Sequence, residues 1–247
     1  YNDPRLKSYF NAAQDGRDND GNITQTVAGV KQLTSIEGKF KGVRQGTGVG
    51  DNRYSTHSRT TITTSSKIIV MAAAEIWFLR AEAALRGFTS EDVESCYKQG
   101  VTTSFAQWDA SGVSEYLESE NTPADYVDTF DKNFDAKATT SITPKWDNAA
   151  DNETKLERII TQKWLAIYPE GCEAWAEQRR TGYPKLFKVV VNNSSNTIST
   201  DEMIRRVFFN QDYITNNKPL YDALVSKLGG QDTGGTRLWW DTGKNNF

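Results

Sequence analysis

Residues 69–101, IVMAAAEIWFLRAEAALRGFTSEDVESCYKQGV, decide the fold. Ile69, Ala73, Ile76, Leu79 and Ala83 recur at three- and four-residue steps and make one apolar helical face, while Met71, Phe78 and Leu85 add apolar surface on the other side. That pattern predicts a mostly buried helix over 66–86. Gly87 supplies the left-handed residue that ends it. Thr89 or Ser90 is the expected cap of a second helix, whose stripe of Val93, Cys96, Tyr97, Gly100 and Val101 runs toward Phe105. The alanines of the first helix allow close approach, so the pair has the size of a tetratricopeptide-like hairpin. Stacked units of that kind bury their faces against neighbours.

Outward from this hairpin the chain divides in two. Residues 1–65 are rich in Gly, Asp, Asn, Thr and Ser and read as a loop-rich segment packed on a helical scaffold. Residues 66–247 read as the helical region, with 1–247 together one domain. Short helices are expected over 113–117 and 124–134. A strong one opens with a capping box at Thr154 and Glu157 and continues through Leu156, Ile160, Trp164 and Ile167. Another is expected over 173–180, stopped by Gly182 and Pro184. Residues 187–191 are a strand or extended segment, 192–200 a polar loop, and 201–209 and 220–228 the last helical or extended pieces. The fold class is therefore mainly α, with tetratricopeptide-like hairpins, long irregular loops and a few short strands.

At 247 residues with 37% hydrophobic content, the chain is long enough for a real core, and its net charge of −3 shows no sustained basic block. Nucleic acid is not an expected partner. The longest apolar stretch, 68–79, is about half a membrane span and carries Glu75. Cys96 and Cys172 lie far apart without metal-ligand or redox spacing, so they either pair or stay free. The first residue is Tyr1 rather than Met, which reads as a processed chain or a fragment of a larger protein.

Few residues offer reaction chemistry. His57 is the sole histidine, sits in a polar loop, and is expected to be solvated. Gly46 to Gly50 has the wrong spacing for a dinucleotide fingerprint and lacks the context of a phosphate-binding loop. Asp15 to Gly21 has some calcium-loop spacing, but Gly16 takes the first ligand position and Val27 the last, where a glutamate belongs, so it reads as a polar turn. No catalytic residue, metal site or cofactor is expected. Seven tryptophans and ten tyrosines are the stronger signal, because a flat ring covers the C–H face of a sugar while nearby polar groups bind its hydroxyls. Trp77, Trp164 and Trp175 fall on helical patterns and are expected to pack between helices. Tyr54, Trp108 and Trp146, in loops or at helix ends beside Asn52, Asp109 and Asp147, are the candidate ligand-binding residues.

A set of landmarks in shared order resembles the C-terminal half of the SusD/RagB family of outer-membrane glycan-binding lipoproteins. They are Asp3-Pro4-Arg5-Leu6, Glu75 through Ala81-Glu82-Ala83, Gln162-Lys163-Trp164, Glu170-Gly171, Glu173-Ala174-Trp175, Arg179-Arg180-Thr181-Gly182-Tyr183-Pro184, Arg205-Arg206-Val207-Phe208, Asn216 and Trp239-Trp240-Asp241. The resemblance implies non-catalytic capture of an oligosaccharide or polysaccharide at the cell surface and its delivery to a SusC-like TonB-dependent transporter. It implies outer-membrane localisation through a lipid anchor outside this chain. It also casts Glu177, Arg179 and Arg180 as structural ion pairs rather than ligand contacts. A helical-repeat adaptor for proteins and a glycoside hydrolase are the alternative classes.

Overall fold

A computed structural model of the chain describes residues 1–16, 26, 27, 29–50, 52–243 and 245–247. In chain order they form α1 (Leu6–Tyr9), the antiparallel pair β1 (Thr26–Val27) and β2 (Val30–Lys31), α2 (Ala73–Leu85), α3 (Val93–Gln107), α4 (Val113–Leu117), a short 3-10 turn (Lys132–Phe134), α5 (Asn152–Ala166), α6 (Gly171–Thr181), α7 (Gln211–Asn216) and α8 (Lys218–Leu228). The architecture is mainly helical, with tetratricopeptide-like hairpins, irregular loops and short strands. No helix among the described residues is long and apolar enough to cross a membrane. Of the calcium-like stretch, residues 17–21 lie outside the described residues.

The α2–α3 hairpin packs on α5, and its core joins Phe78, Tyr97, Val101 and Phe105 to Leu156, Ile159 and Ile160. The α3 stripe is the predicted one: Cys96, Tyr97, Gly100, Val101 and Phe105 are all buried. Gly100 lets the two helices meet, since a Cβ there would lie 2.8 Å from the fully buried Phe78 ring.

The face of α2 differs from the expected one. The helix starts at Ala73 rather than near Ser66, leaving Ile68 and Val70 about nine-tenths exposed at 90% and 91%. Its buried row is Ala74, Glu75, Phe78, Ala81 and Glu82, whereas Ile76 and Leu79 point outward. Two buried glutamates set this orientation, because each meets a cation from another helix. Glu75 lies 3.2 Å from the Lys163 ammonium on α5, and Glu82 lies 2.6 Å from the Arg180 guanidinium on α6. Lys163, 1% exposed, also meets Glu173 at 3.1 Å and Glu177 at 3.2 Å. Burial opposes the Lys163 charge, yet Glu177, Glu173 and Glu75 raise its pKa above the ordinary lysine value.

The loops are fastened to this scaffold in two ways. Arg5, 0% exposed, reaches into the helical core, where Nη1 donates to Ser104 Oγ at 2.8 Å and Nη2 donates to Gln162 Oε1 at 3.0 Å and to Asp3 Oδ2 at 2.6 Å. Its guanidinium also lies 4.9 Å from the Phe105 ring centre. Elsewhere backbone stitches loop to loop: Asn11 N–H donates to Arg59 O at 2.8 Å, Thr61 N–H to Tyr9 O at 3.0 Å, Leu33 N–H to Thr129 O at 2.8 Å and Val190 N–H to Gln45 O at 2.9 Å.

Several boundaries shift for local reasons. Asp92, not Thr89 or Ser90, caps α3 by accepting from Ser95 N–H, and Asp151, not Thr154, caps α5 by accepting from Thr154 N–H. Residues 124–134 form no α-helix; Tyr126 instead pairs with Ala136 as an isolated antiparallel bridge. Residues 201–209 form neither helix nor strand, while α8 ends as expected at Gly229, whose φ is 75°. Cys96 and Cys172 are both free thiols, the first buried and the second exposed.

His57 is not solvated. It is buried, with Nε2 3.0 Å from Thr129 Oγ1 and its ring beside Tyr54 and Phe130. Burial holds its pKa below the ordinary 6.5, so the unfolded imidazole takes up a proton before the folded one. Its contribution is therefore present above the unfolded value and is lost as pH falls through it toward the folded value. The melting temperature should fall as pH is lowered from about 7.5 to about 5, and His57→Asn should flatten part of that slope; parallel curves for the two proteins would refute this. At the helical contact, Gly100→Ala gains about 1 kcal/mol of helix propensity but loses about 1–3 kcal/mol to overpacking against Phe78. Urea unfolding should show net destabilisation, and an unchanged or raised midpoint would mean that the Phe78 ring yields.

Candidate functional site

The three rings selected from the sequence occupy three separate places. Trp146 is 7% exposed and belongs to the helical core, its ring 5.1 Å from Tyr97 and its Nε1 donating to Asn148 Oδ1 at 2.9 Å. With its faces spent on packing it offers no platform to a ligand. The turn containing Pro144 draws it inward, since Tyr97 donates its hydroxyl to Pro144 O.

Tyr54 is half-buried and tied by its hydroxyl to both oxygens of Asp128, each at 3.1 Å. Asp128 is 1% exposed and also accepts from Tyr126 Oη at 2.8 Å and from Phe130 N–H at 2.8 Å. Burial and then the Asp128 carboxylate push the Tyr54 phenol above its ordinary pKa. The ring meets His57 and Phe130 edge-on, at 5.1 and 5.5 Å. These contacts make Tyr54 a clasp between the 52–58 and 126–131 loops, with part of the ring left accessible.

Trp108, at the C-terminal end of α3, lies on the wall of an open groove of about 770 Å³. Residues of the 61–71 segment, Gln107, Pro169 and Glu170 line it with the indole. The indole is fixed edge-on against Tyr9 at 4.7 Å and tilted on Tyr168 at 6.1 Å. Those partners are themselves anchored: Tyr9 Oη donates to Leu165 O at 2.9 Å, and Tyr168 Oη shares a hydrogen with Thr60 Oγ1 at 2.7 Å. Ser8 Oγ donates to Trp108 O at 2.9 Å, and Thr61 Oγ1 donates to Ser8 O at 2.6 Å, which locks α1, the end of α3 and the start of the groove wall together.

Part of the polar equipment of the groove is unspent. Among the described residues, the side chains of Lys67, Gln107 and Glu170 have no hydrogen-bond or ion-pair partner, and all three face the groove. A cation, an amide and a carboxylate thus surround one fixed aromatic ring, within the size range of small-molecule sites. Behind Pro169 and Glu170 a smaller cavity of about 270 Å³ continues, walled by Tyr9, Phe10, Trp164 and Tyr168. Trp164 is accordingly a cavity wall rather than a wholly buried packing residue. Together these positions can hold an extended polar ligand with apolar faces.

Sequence reasoning missed Tyr9, Phe10, Tyr168, Lys67, Gln107 and Glu170. The only sequence signal for them was their setting: Tyr168 precedes the Pro169 break, and Tyr9 and Phe10 follow Asp3-Pro4-Arg5. Nothing local announces that the two segments meet. Arg180 is the structural ion pair expected of it, bonded to Glu82 and Glu177 at 2.6 and 2.7 Å. Arg179 is not, and has no carboxylate partner among the described residues.

Comparison with known proteins bears on this geometry. The SusD-like family, described as Susd and RagB outer membrane lipoproteins, matches residues 1–241. A SusD homologue of known structure from Bacteroides vulgatus is 48% identical, with a TM-score of 0.85 over 99% of this chain and 47% of its own. A chitin-binding SusD homologue from Flavobacterium johnsoniae is 39% identical, with a TM-score of 0.86 over 99% of this chain and 48% of its own. One from Bacteroides thetaiotaomicron is 34% identical, with a TM-score of 0.85 over 98% and 49%. The chain therefore spans about half the length of these solved relatives. No curated protein matches it significantly.

Proposed function

The chain belongs to the SusD-like family of SusD and RagB outer-membrane lipoproteins, and from that premise we propose that it is part of a cell-surface protein that holds an oligosaccharide without cleaving it. The Trp108 groove carries the proposal: a rigid ring with unspent polar side chains around it is the chemistry that binds a sugar's C–H face and hydroxyls together. The chitin-binding relative supports this choice of ligand class. Trp108 stacks on one sugar residue, Gln107 and Glu170 bond its hydroxyls, and Lys67 of the same groove adds a donor.

Delivery follows from holding. The captured glycan passes to a SusC-like TonB-dependent transporter in the outer membrane, and a lipid anchor outside these residues keeps the protein at the surface. Affinity rather than turnover is the mechanism: the helices fix the groove, and release depends on the transporter beneath it.

A glycan array followed by calorimetry on the best oligosaccharide, with chito-oligosaccharides included, tests this. Trp108→Ala should weaken binding by about 1–2 kcal/mol, roughly five- to thirtyfold, measured at a temperature at which its melting curve shows it folded, and prolonged incubation of the unsubstituted protein should return the glycan intact. Undiminished affinity in the variant, or accumulation of shorter sugars, would count against the proposal.

A further inference from the structure

A further cavity, strongly polar and about 270 Å³, is lined by the end of α6, Asp201, Glu202, Arg205 and the 237–243 segment. Four arginines reach it, and three of them have acidic partners. Arg180 pairs with Glu82 and Glu177, Arg205 with Asp241 at 2.7 Å, and Arg237 with Glu202 at 2.7 Å and with Asp241. The remaining acid on the wall, Asp201, pairs with Lys188. Arg179 alone among these cations has no carboxylate within ion-pair distance among the described residues.

Its guanidinium is held in a fixed plane. Trp175 lies 3.7 Å from it and Trp240 5.3 Å, measured to the ring centres, and Nη1 donates to Arg205 O at 3.0 Å. Nε is buried and donates to nothing, so the Nε–Nη2 edge of the fork is unused. That edge matches the two oxygens of a planar carboxylate. On the same wall Gln178 Oε1 is a buried acceptor with no donor. An unmatched donor edge and an unmatched acceptor lining one cavity are what a ligand carrying both an anion and a hydroxyl would satisfy.

We propose that this cavity binds the carboxylate of an acidic sugar residue, with Arg179 taking the carboxylate and Gln178 accepting from a neighbouring hydroxyl. The assignment rests on the glycan-holding reading and deepens it from neutral to uronic-acid-containing glycans. The volume suits a single sugar residue. Gln178, Gly182, Asp201 and Glu202 are shared with an adjoining cleft of about 640 Å³, into which the rest of a glycan chain can extend. Burial and the nearby Arg205 cation disfavour the Arg179 charge, Asp241 offsets them only in part, and a bound anion relieves the rest of that penalty.

Titration with sodium D-glucuronate, followed by calorimetry and by the fluorescence of Trp175 and Trp240, tests the site against D-glucuronamide, D-glucose and inorganic phosphate. Glucuronate should bind at least about tenfold more tightly than its uncharged amide or glucose, and the preference should weaken with salt. Arg179→Gln should lose about tenfold or more, and Arg179→Lys should recover part of it. Should Arg179→Gln fail to fold, Gln178→Leu leaves the Arg179–Arg205 contact in place and should still lose severalfold. Equal binding of glucuronate and glucuronamide, equal competition by phosphate, or unchanged affinity in the variants would overturn the proposal. Neutral-oligosaccharide binding on the same preparations reports on the Trp108 groove alone. Its presence without a glucuronate response sinks the acidic subsite only, and its absence alongside a specific glucuronate response sinks only the groove.

Discussion

The guanidinium of Arg5 is the constraint on which the arrangement depends. A cation with no exposed surface is tolerable only if its charge and its donors are matched, and Asp3, Ser104, Gln162 and Tyr116 do this from four parts of the chain. The match fixes α1 against the ends of α3 and α5. Because Tyr9 follows one helical turn later, its ring arrives against Trp108, and the groove wall inherits its position from an ion pair in the core. Any rearrangement of the groove floor would have to move that buried charge.

The same logic recurs through the family landmarks. Glu75 with Lys163, Glu82 with Arg180, and Arg205 with Asp241 are each buried at one or both ends and each join different elements. Hydrophobic contact alone would let α2 rotate, since it carries apolar residues on two faces. The glutamates select one rotation, because only that one brings their carboxylates to the Lys163 and Arg180 cations, and a buried charge left without its partner costs about 3–5 kcal/mol. Specific orientation therefore comes from polar residues, and bulk stability from the rings and aliphatics around them. Arg206 with Asp232 extends the pattern to the 230s, where little apolar burial is available.

This division explains what the sequence disclosed. The α3 stripe was legible because its apolar residues and its buried residues coincide. On α2 they do not, and periodicity selected the outward row; the partners that reverse the choice, Lys163 and Arg180, stand some eighty to a hundred positions away. His57 and Tyr54 sit in a polar loop, and only the meeting of that loop with Asp128 and Thr129 encloses them. Trp146 has acidic and amide neighbours in sequence but Tyr97 and Arg158 in space. The Trp108 position was readable as a ring at a helix end, while Tyr168 and Lys67 reach the groove through contacts that no local pattern encodes. Among the landmarks that resemble the family, Arg5, Glu75, Glu82, Lys163, Arg205 and Asp241 are buried charges of the scaffold.

The loop-to-loop stitches use backbone amides and carbonyls, and such bonds are indifferent to which side chain a residue bears. Asn11 with Arg59, Leu33 with Thr129, and Val190 with Gln45 would persist through wholesale exchange of the residues displayed between them. Buried side chains of the loops, Arg5 and Asp128 among them, hold the loops on the helices and on one another, while the exposed side chains between the stitches carry no such duty. A chain of this plan can therefore trade the side chains it shows to solvent between the stitches without solving again the problem of how to stand up.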